Sequence, residues 1–288
     1  MAVEGLSLTV PTGSVYGLLG RNGAGKSTTL GMILGQVYPT TGRVSVDGRD
    51  VFAERRLALR NVGAIFEAPA FYEYLSGRAN LKILCQYSGR VNRRRLGEVI
   101  ELVGLGDRID DKVVTYSHGM RQRLGLAQAL LPNPRLLILD EPADGLDPEG
   151  IHEMRSLIRT LNREWGLTIL FSSHQLHEVE QVCSHVAVMQ AGRLVFDGTW
   201  PPVEMAARWV RFTTDRQEEA GRALAAAGLV GHVTADGRAQ LDNGHDTAAI
   251  TEFLVRNGYR VFAIEPHRVS LEEFYLQLSS SRARGDAA

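Results

Sequence analysis

Gly20-Arg21-Asn22-Gly23-Ala24-Gly25-Lys26-Ser27-Thr28 fills every position of the pattern G-x-x-x-x-G-K-[ST], and a chain carrying it is expected to bind a nucleoside triphosphate. The residue types follow from the ligand. Gly20, Gly23 and Gly25 let the loop curl so that its backbone N–H groups, those of Asn22 and Ala24 among them, surround anionic oxygens. Lys26 can reach the terminal phosphates, the Ser27 hydroxyl can ligate Mg, and Thr28 lies in a following helix whose positive end adds to the attraction. The flanks agree. Ser14 to Leu19 reads as a short buried strand, and Ser27 to Leu34 as a helix with an apolar face.

A second motif extends binding to hydrolysis. Leu136-Leu137-Ile138-Leu139-Asp140-Glu141 is an apolar run that ends in two carboxylates, the pattern of a central parallel strand whose carboxyl end opens at a ligand crevice. Asp140 is expected to hold Mg, and Glu141 to orient or deprotonate the attacking water. Binding alone would not require the second acid. Pro142 then ends the strand.

Between these motifs lies Tyr116-Ser117-His118-Gly119-Met120-Arg121-Gln122-Arg123, followed by a helix-like run through Leu131. Here the chain resembles the ATP-binding cassette (ABC) ATPases. In that family the segment is the signature motif, commonly Leu-Ser-Gly-Gly-Gln, which opens a helix and contacts the γ-phosphate held by the opposite subunit. Ser117 and Gly119 match it; Tyr116, His118 and Met120 depart from it. Taken alone, Ser117 reads as an ordinary helix N-cap.

Further family motifs follow in order and bring the resemblance to residues 1 to about 200. Asp144-Gly145-Leu146-Asp147-Pro148 resembles the D-loop, which implies that Asp147 lies at a dimer interface. Leu170-Phe171-Ser172-Ser173-His174 reads as another strand, and His174 resembles the switch histidine that contacts the γ-phosphate and the attacking water. His177 stands close by, but no convergent Cys or carboxylate set accompanies the two histidines to suggest a metal pair.

Two departures from the family pattern carry information. Where the family usually has a glutamine, Val62 to Tyr72 carries Glu67, a variant similar to the glutamate loop of bacterial exporters of the lantibiotic-immunity and bacitracin-resistance kind. A carboxylate there can approach Mg or its waters, and the loop through Asn80 is expected to couple nucleotide state to a membrane partner. The chain also begins near the point where the family has already placed an adenine-stacking aromatic. Tyr16 lies inside a strand and reads as core, so either the native start lies upstream, or the sequence is shortened, or adenine is held by something else. Loss of a stacking contribution of about 1 to 3 kcal/mol would weaken ATP binding without abolishing it.

The bulk properties exclude several rivals. The 288 residues carry a formal charge of −1, which gives no general drive toward nucleic acid or anionic lipid. Cys85 and Cys183 are the two cysteines and suit buried positions rather than a disulfide framework. No run approaches the roughly 20 apolar residues of a membrane span. The cluster Arg90 to Arg95 reads as a solvated helix start.

The expected fold class is α/β, a P-loop NTPase with a parallel-sheet core, a helical signature subdomain and a small C-terminal α+β domain. Residues 1–200 form the ATP-binding domain, with the helical part at about 67–133 and a shortened N-terminal strand. Trp200-Pro201-Pro202 marks the boundary. Residues 201–278 read as β-α-β-β-α-β, a split βαβ pattern, closed by a helix from Ser270 to Leu276; 279–288 reads as a disordered tail.

The resemblance as a whole implies the ATPase subunit of a bacterial exporter, cytoplasmic and peripheral on the inner face of the membrane. It would use ATP and Mg, and pair with a membrane-spanning permease and with a second ATPase subunit, either a copy or a homologue. An importer ATPase or a non-transport member of the family is the alternative. The two domains per chain of ribosome-acting members and the long coiled coils of chromosome and repair members are not in this sequence. The transported compound is not written in it either, since substrate contacts would belong to the permease.

Overall fold

Val15–Leu19 forms β1 with all five residues buried, the pattern of a strand covered on both faces. It sits inside a six-stranded sheet of order β4-β5-β6-β1-β7-β8, made by Val62–Ile65, Leu136–Asp140, Thr168–Ser173, β1, His185–Gln190 and Arg193–Thr199. The pairs β4–β5, β5–β6, β6–β1 and β1–β7 are parallel. A small hairpin, β2 (Ser45–Val46) and β3 (Arg49–Asp50), turns at Asp47 and Gly48, both at positive φ, as a tight two-residue connection requires. The structure is a computed structural model, and it describes residues 2–66, 69–88, 93–202, 209–234, 237–242, 244–267 and 270–276.

Helices cover both faces of the large sheet. On one side α1 (Lys26–Ile33) brings Leu30 into a core with Tyr16, Leu18, Ile138, Leu170, Ala187 and Met189; burying each large side chain of this kind contributes roughly 1.5 to 3 kcal/mol. Tyr16 is fully buried, as its place in the strand suggested, and its hydroxyl donates to Asp197 Oδ1 at 2.5 Å. Burial, and then that partner, push its phenol well above the usual range. On the other side α7 (Leu176–Val182) presses against Gly17, where a Cβ would stand 2.5 Å from Val179 Cγ1 and 2.8 Å from Cys183 Sγ. The missing side chain is what admits the helix.

The short helix α2 (Arg55–Ala58) precedes β4, and between β4 and β5 lie the helices α3 (Gly77–Ser88), α4 (Arg93–Leu102) and α5 (His118–Leu130). Of the basic cluster, Arg93 and Arg94 are exposed at the start of α4, as the solvated reading expects, and Arg95 departs from it. The Arg95 guanidinium lies 4.4 Å from the centre of the Trp165 ring and donates to the Leu130 carbonyl at 2.9 Å. Long helix α6 (Pro148–Arg163) links β5 to β6.

The chain divides into two compact units, Met1–Gly198 and Thr199–Ala288. The second has the order β9 (Trp209–Thr214), α8 (Gln217–Ala226), β10 (Val230–Val233), β11 (Arg238–Leu241), α9 (Thr247–Arg256) and β12 (Val261–Pro266). Its antiparallel sheet runs β10-β11-β9-β12, a split βαβ arrangement. Val210, Phe212, Ala220, Leu224, Ile250 and Leu254 fill its core. A helix over 271–276 packs Phe274 against Trp200, ring centres 5.6 Å apart. Glu67 and the tail 279–288 lie outside the described residues. Among the described residues, no helix is long and apolar enough to cross a membrane.

Candidate active site

Strand register assembles the site. β5, β6 and β1 are parallel neighbours in which Asp140 pairs with Ser172 and Leu19 with Ser173. The loops that leave these three carboxyl ends are the phosphate loop, the Glu141 turn and the His174 segment, so residues more than a hundred positions apart open on one edge.

In the phosphate loop the chain turns with Gly23 at φ 81° and Gly25 at φ 102°, a region that glycine occupies without steric cost. A Cβ on Gly25 would stand 2.8 Å from the Ala2 carbonyl oxygen, so the N-terminal segment passes against the loop. Gly25 caps α1 without a side-chain hydrogen bond, which leaves the first N–H groups of the helix for another acceptor. Lys26 is buried, and its Nζ donates to the Gly20 carbonyl at 2.8 Å and meets Glu141 Oε1 at 3.0 Å.

Glu141 occupies the left-handed region at φ 47°, a conformation that costs on the order of 1 to 3 kcal/mol in a residue with a side chain. Its surroundings hold it there. Its N–H donates to Ser172 Oγ at 3.0 Å, and its carbonyl accepts from the Asp144 N–H at 3.1 Å. Oε2 accepts from His174 twice, from the backbone N–H at 3.2 Å and from Nδ1 at 2.8 Å. An ionised carboxylate only accepts, so Nδ1 carries the hydrogen, and Nε2 is the ring atom left for other partners. Lys26, Glu141 and His174 thus form one contact chain.

Asp140 is buried, and it accepts from the Ser172 hydroxyl in a short hydrogen bond. Ser172 therefore joins the two acids, giving its proton to Asp140 and taking the N–H of Glu141. Sequence reasoning passed over this residue although it lies in the stretch quoted for His174; only register reveals its neighbour. Ser172→Ala is expected to lower stability by about 1 to 3 kcal/mol through the unsatisfied buried carboxylate and to slow turnover roughly 10-fold by loosening both acids. Denaturant melts and steady-state kinetics check both effects. Glu178 is a second unforeseen neighbour, buried on α7. Burial, with the Glu141 charge adding to it, raises its carboxyl above the ordinary range against the pull of Arg155, His174 and His177.

Ser117, Gly119 and Asp147 stand outside this cluster. Ser117 caps α5 and accepts from the Met120 N–H at 3.3 Å; Asp147 caps α6 and accepts from the Gly150 N–H at 3.0 Å. Gly119 faces Leu146, with space for a Cβ at 3.6 Å. The loop before α3 is pinned by buried Asn80, whose amide donates to the carbonyls of Tyr72 and Ser76, each at 3.0 Å, while Tyr72 and Tyr74 remain exposed.

Mg and a triphosphate fit the residues present. Positive-φ glycines, an uncapped helix start and a buried lysine make a cradle for anionic oxygens. Among the described residues no group of three His, Cys, Asp or Glu gathers to bind a metal alone. Mg held by Ser27 and Asp140 would take its remaining ligands from phosphate and water.

The sequence pattern described as ABC transporter matches residues 3–144. The bacitracin transport ATP-binding protein BcrA of Bacillus licheniformis is 46% identical over 194 residues, 67% of this chain and 63% of that protein, so less than two thirds of that relative's length is spanned. The bacitracin transport ATP-binding protein BcrA of Enterococcus faecalis is 37% identical over 279 residues, 96% of this chain and 91% of that one. The chain belongs to the family of ABC transporter ATP-binding proteins. A solved structure of the ATP-binding subunit of an ABC transporter superposes with a TM-score of 0.62 at 31% identity, over 69% of this chain and 84% of that one. For an ABC transporter ATP-binding protein the matched stretch is informative: it contains the phosphate loop, Asp140 and Glu141, whereas His174 and the second unit follow it.

Proposed function

We propose that this chain is the ATP-hydrolysing subunit of an ABC exporter and that two such subunits, identical or homologous, enclose two ATP molecules head to tail. The observation that carries the reading is Glu141, held between Lys26 at 3.0 Å and His174 at 2.8 Å. A carboxylate fixed between the phosphate-loop lysine and a strand-end histidine is placed to take a proton from water attacking a γ-phosphate. A triphosphate competes with Glu141 for Lys26, so nucleotide binding frees the base it requires.

Gly20, Asn22, Gly23, Ala24, Gly25 and Thr28 supply the loop and helix start around the phosphates. Ser27 and Asp140 hold Mg, which neutralises phosphate charge, with Glu67 adding a carboxylate near it. Ser117 and Gly119 complete the opposite subunit's site, and Asp147 lies at the junction between subunits. ATP then favours the closed pair because only there does it gain the second subunit's contacts. Residues 1–200 do this work, and 201–278 form an appended domain.

Export is favoured by Glu67 and by relatives whose names describe bacitracin transport. The chain would sit at the cytoplasmic face of the membrane, bound to a membrane-spanning permease through the loop that Asn80 pins. ATP hydrolysis by the chain co-expressed with the membrane protein encoded beside it tests this. Turnover severalfold above that of the chain alone is expected, and turnover indifferent to the partner overturns the coupling. Glu67→Ala is expected to keep most of the basal turnover and lose the partner's stimulation; full stimulation in the variant removes Glu67 from the coupling path.

A further inference from the structure

His118 is the first residue of α5 and follows the cap Ser117. Its Nε2 lies 3.1 Å from the carbonyl oxygen of Asp144; a carbonyl only accepts, so Nε2 carries the hydrogen. Asp144 in turn donates its N–H to the carbonyl of Glu141 at 3.1 Å. Gly145 makes room for the ring: it sits at φ 72°, and a Cβ there would stand 3.3 Å from Nε2. Two hydrogen bonds and one tight turn therefore run from the backbone of the candidate base to the residue beside Ser117, both within one chain. The commonest signature motif has glycine where this chain has His118, and glycine offers no side chain for such a link.

We propose that His118 is a positioning residue that ties the N-terminus of α5 to the Glu141 turn, so that events at one nucleotide site move the Ser117 that serves the other. This rests on the reading of the chain as a two-site ATPase. In the closed pair, the Glu141 turn of a chain belongs to that chain's own site, while its Ser117 belongs to the opposite one. A rigid link between them makes each site's geometry depend on the state of its neighbour, and the two sites turn over cooperatively.

The test is ATP hydrolysis against Mg-ATP concentration for the wild-type chain, His118→Phe and His118→Gln. Phenylalanine keeps a ring of similar size and cannot donate; the glutamine amide can donate to the Asp144 carbonyl. Wild type is expected to give a sigmoidal curve. His118→Phe should lower the Hill coefficient toward 1 and kcat by about 5- to 10-fold, the scale of one net hydrogen bond, with KM changed less than kcat. His118→Gln should recover most of both. A non-sigmoidal wild type, an unaltered His118→Phe, or equal losses in the two variants overturns the proposal. A wild-type chain without Mg-dependent hydrolysis overturns the ATPase reading beneath it as well.

Discussion

Glu141→Gln is expected to trap two copies of the chain around ATP while Mg-dependent turnover falls about 100- to 10,000-fold, the range that general-base catalysis supplies. Glutamine keeps the shape of glutamate, and its carbonyl oxygen can still accept from His174, which now donates to Oε2 at 2.8 Å. It cannot take a proton from water. It also removes the negative charge that holds Lys26 at 3.0 Å, so Lys26 is freer to bind phosphate and nucleotide affinity is maintained or raised. Light scattering with and without Mg-ATP, beside a turnover assay, separates the two effects. A monomer at saturating Mg-ATP would count against the closed pair, and wild-type turnover would remove Glu141 as the base.

Lys26→Ala is the second large effect, and it acts on binding. Lys26 supplies a buried cation at the head of the loop. Charge-assisted contacts contribute about 1.5 to 3 kcal/mol each, so loss of two to the terminal phosphates should weaken ATP binding roughly 100-fold or more and abolish turnover. The folded state suffers less. Glu141 loses one partner but keeps His174, and its side chain is 24% exposed. A stability loss of about 1 to 3 kcal/mol is expected, below that of breaking a fully enclosed pair. Nucleotide titration and a denaturant melt give the two numbers. ATP affinity within a few-fold of wild type would place the phosphates elsewhere.

Central strands buried on both faces read as apolar runs, so β1, β5 and β6 were legible from residues alone. The phosphate loop was legible because its glycines and lysine follow from the shape and charge of a triphosphate. Strand pairing was not, because it is a tertiary property: the contact of Ser172 with Asp140 depends on register across 32 positions. For the same reason Arg95 read as solvated, since the ring that covers it belongs to Trp165. In the second unit the order of elements was visible in the alternation of patterns, whereas the strand order β10-β11-β9-β12 was not. There Tyr259 lies just ahead of β12 and is buried, with the Arg216 guanidinium 4.6 Å from its ring centre. His118 went unread as a link because its partner is a backbone carbonyl, which no side-chain motif reports.

Mg-dependent ATP hydrolysis by the purified wild-type chain, run in parallel with Glu141→Gln and with EDTA, tests the central claim most directly. The expected result is phosphate release that requires Mg and is lost in the variant. Release unaffected by either change, or none from wild-type chain that binds Mg-ATP, with or without the membrane partner, would contradict the role given to the contact chain of Lys26, Glu141 and His174.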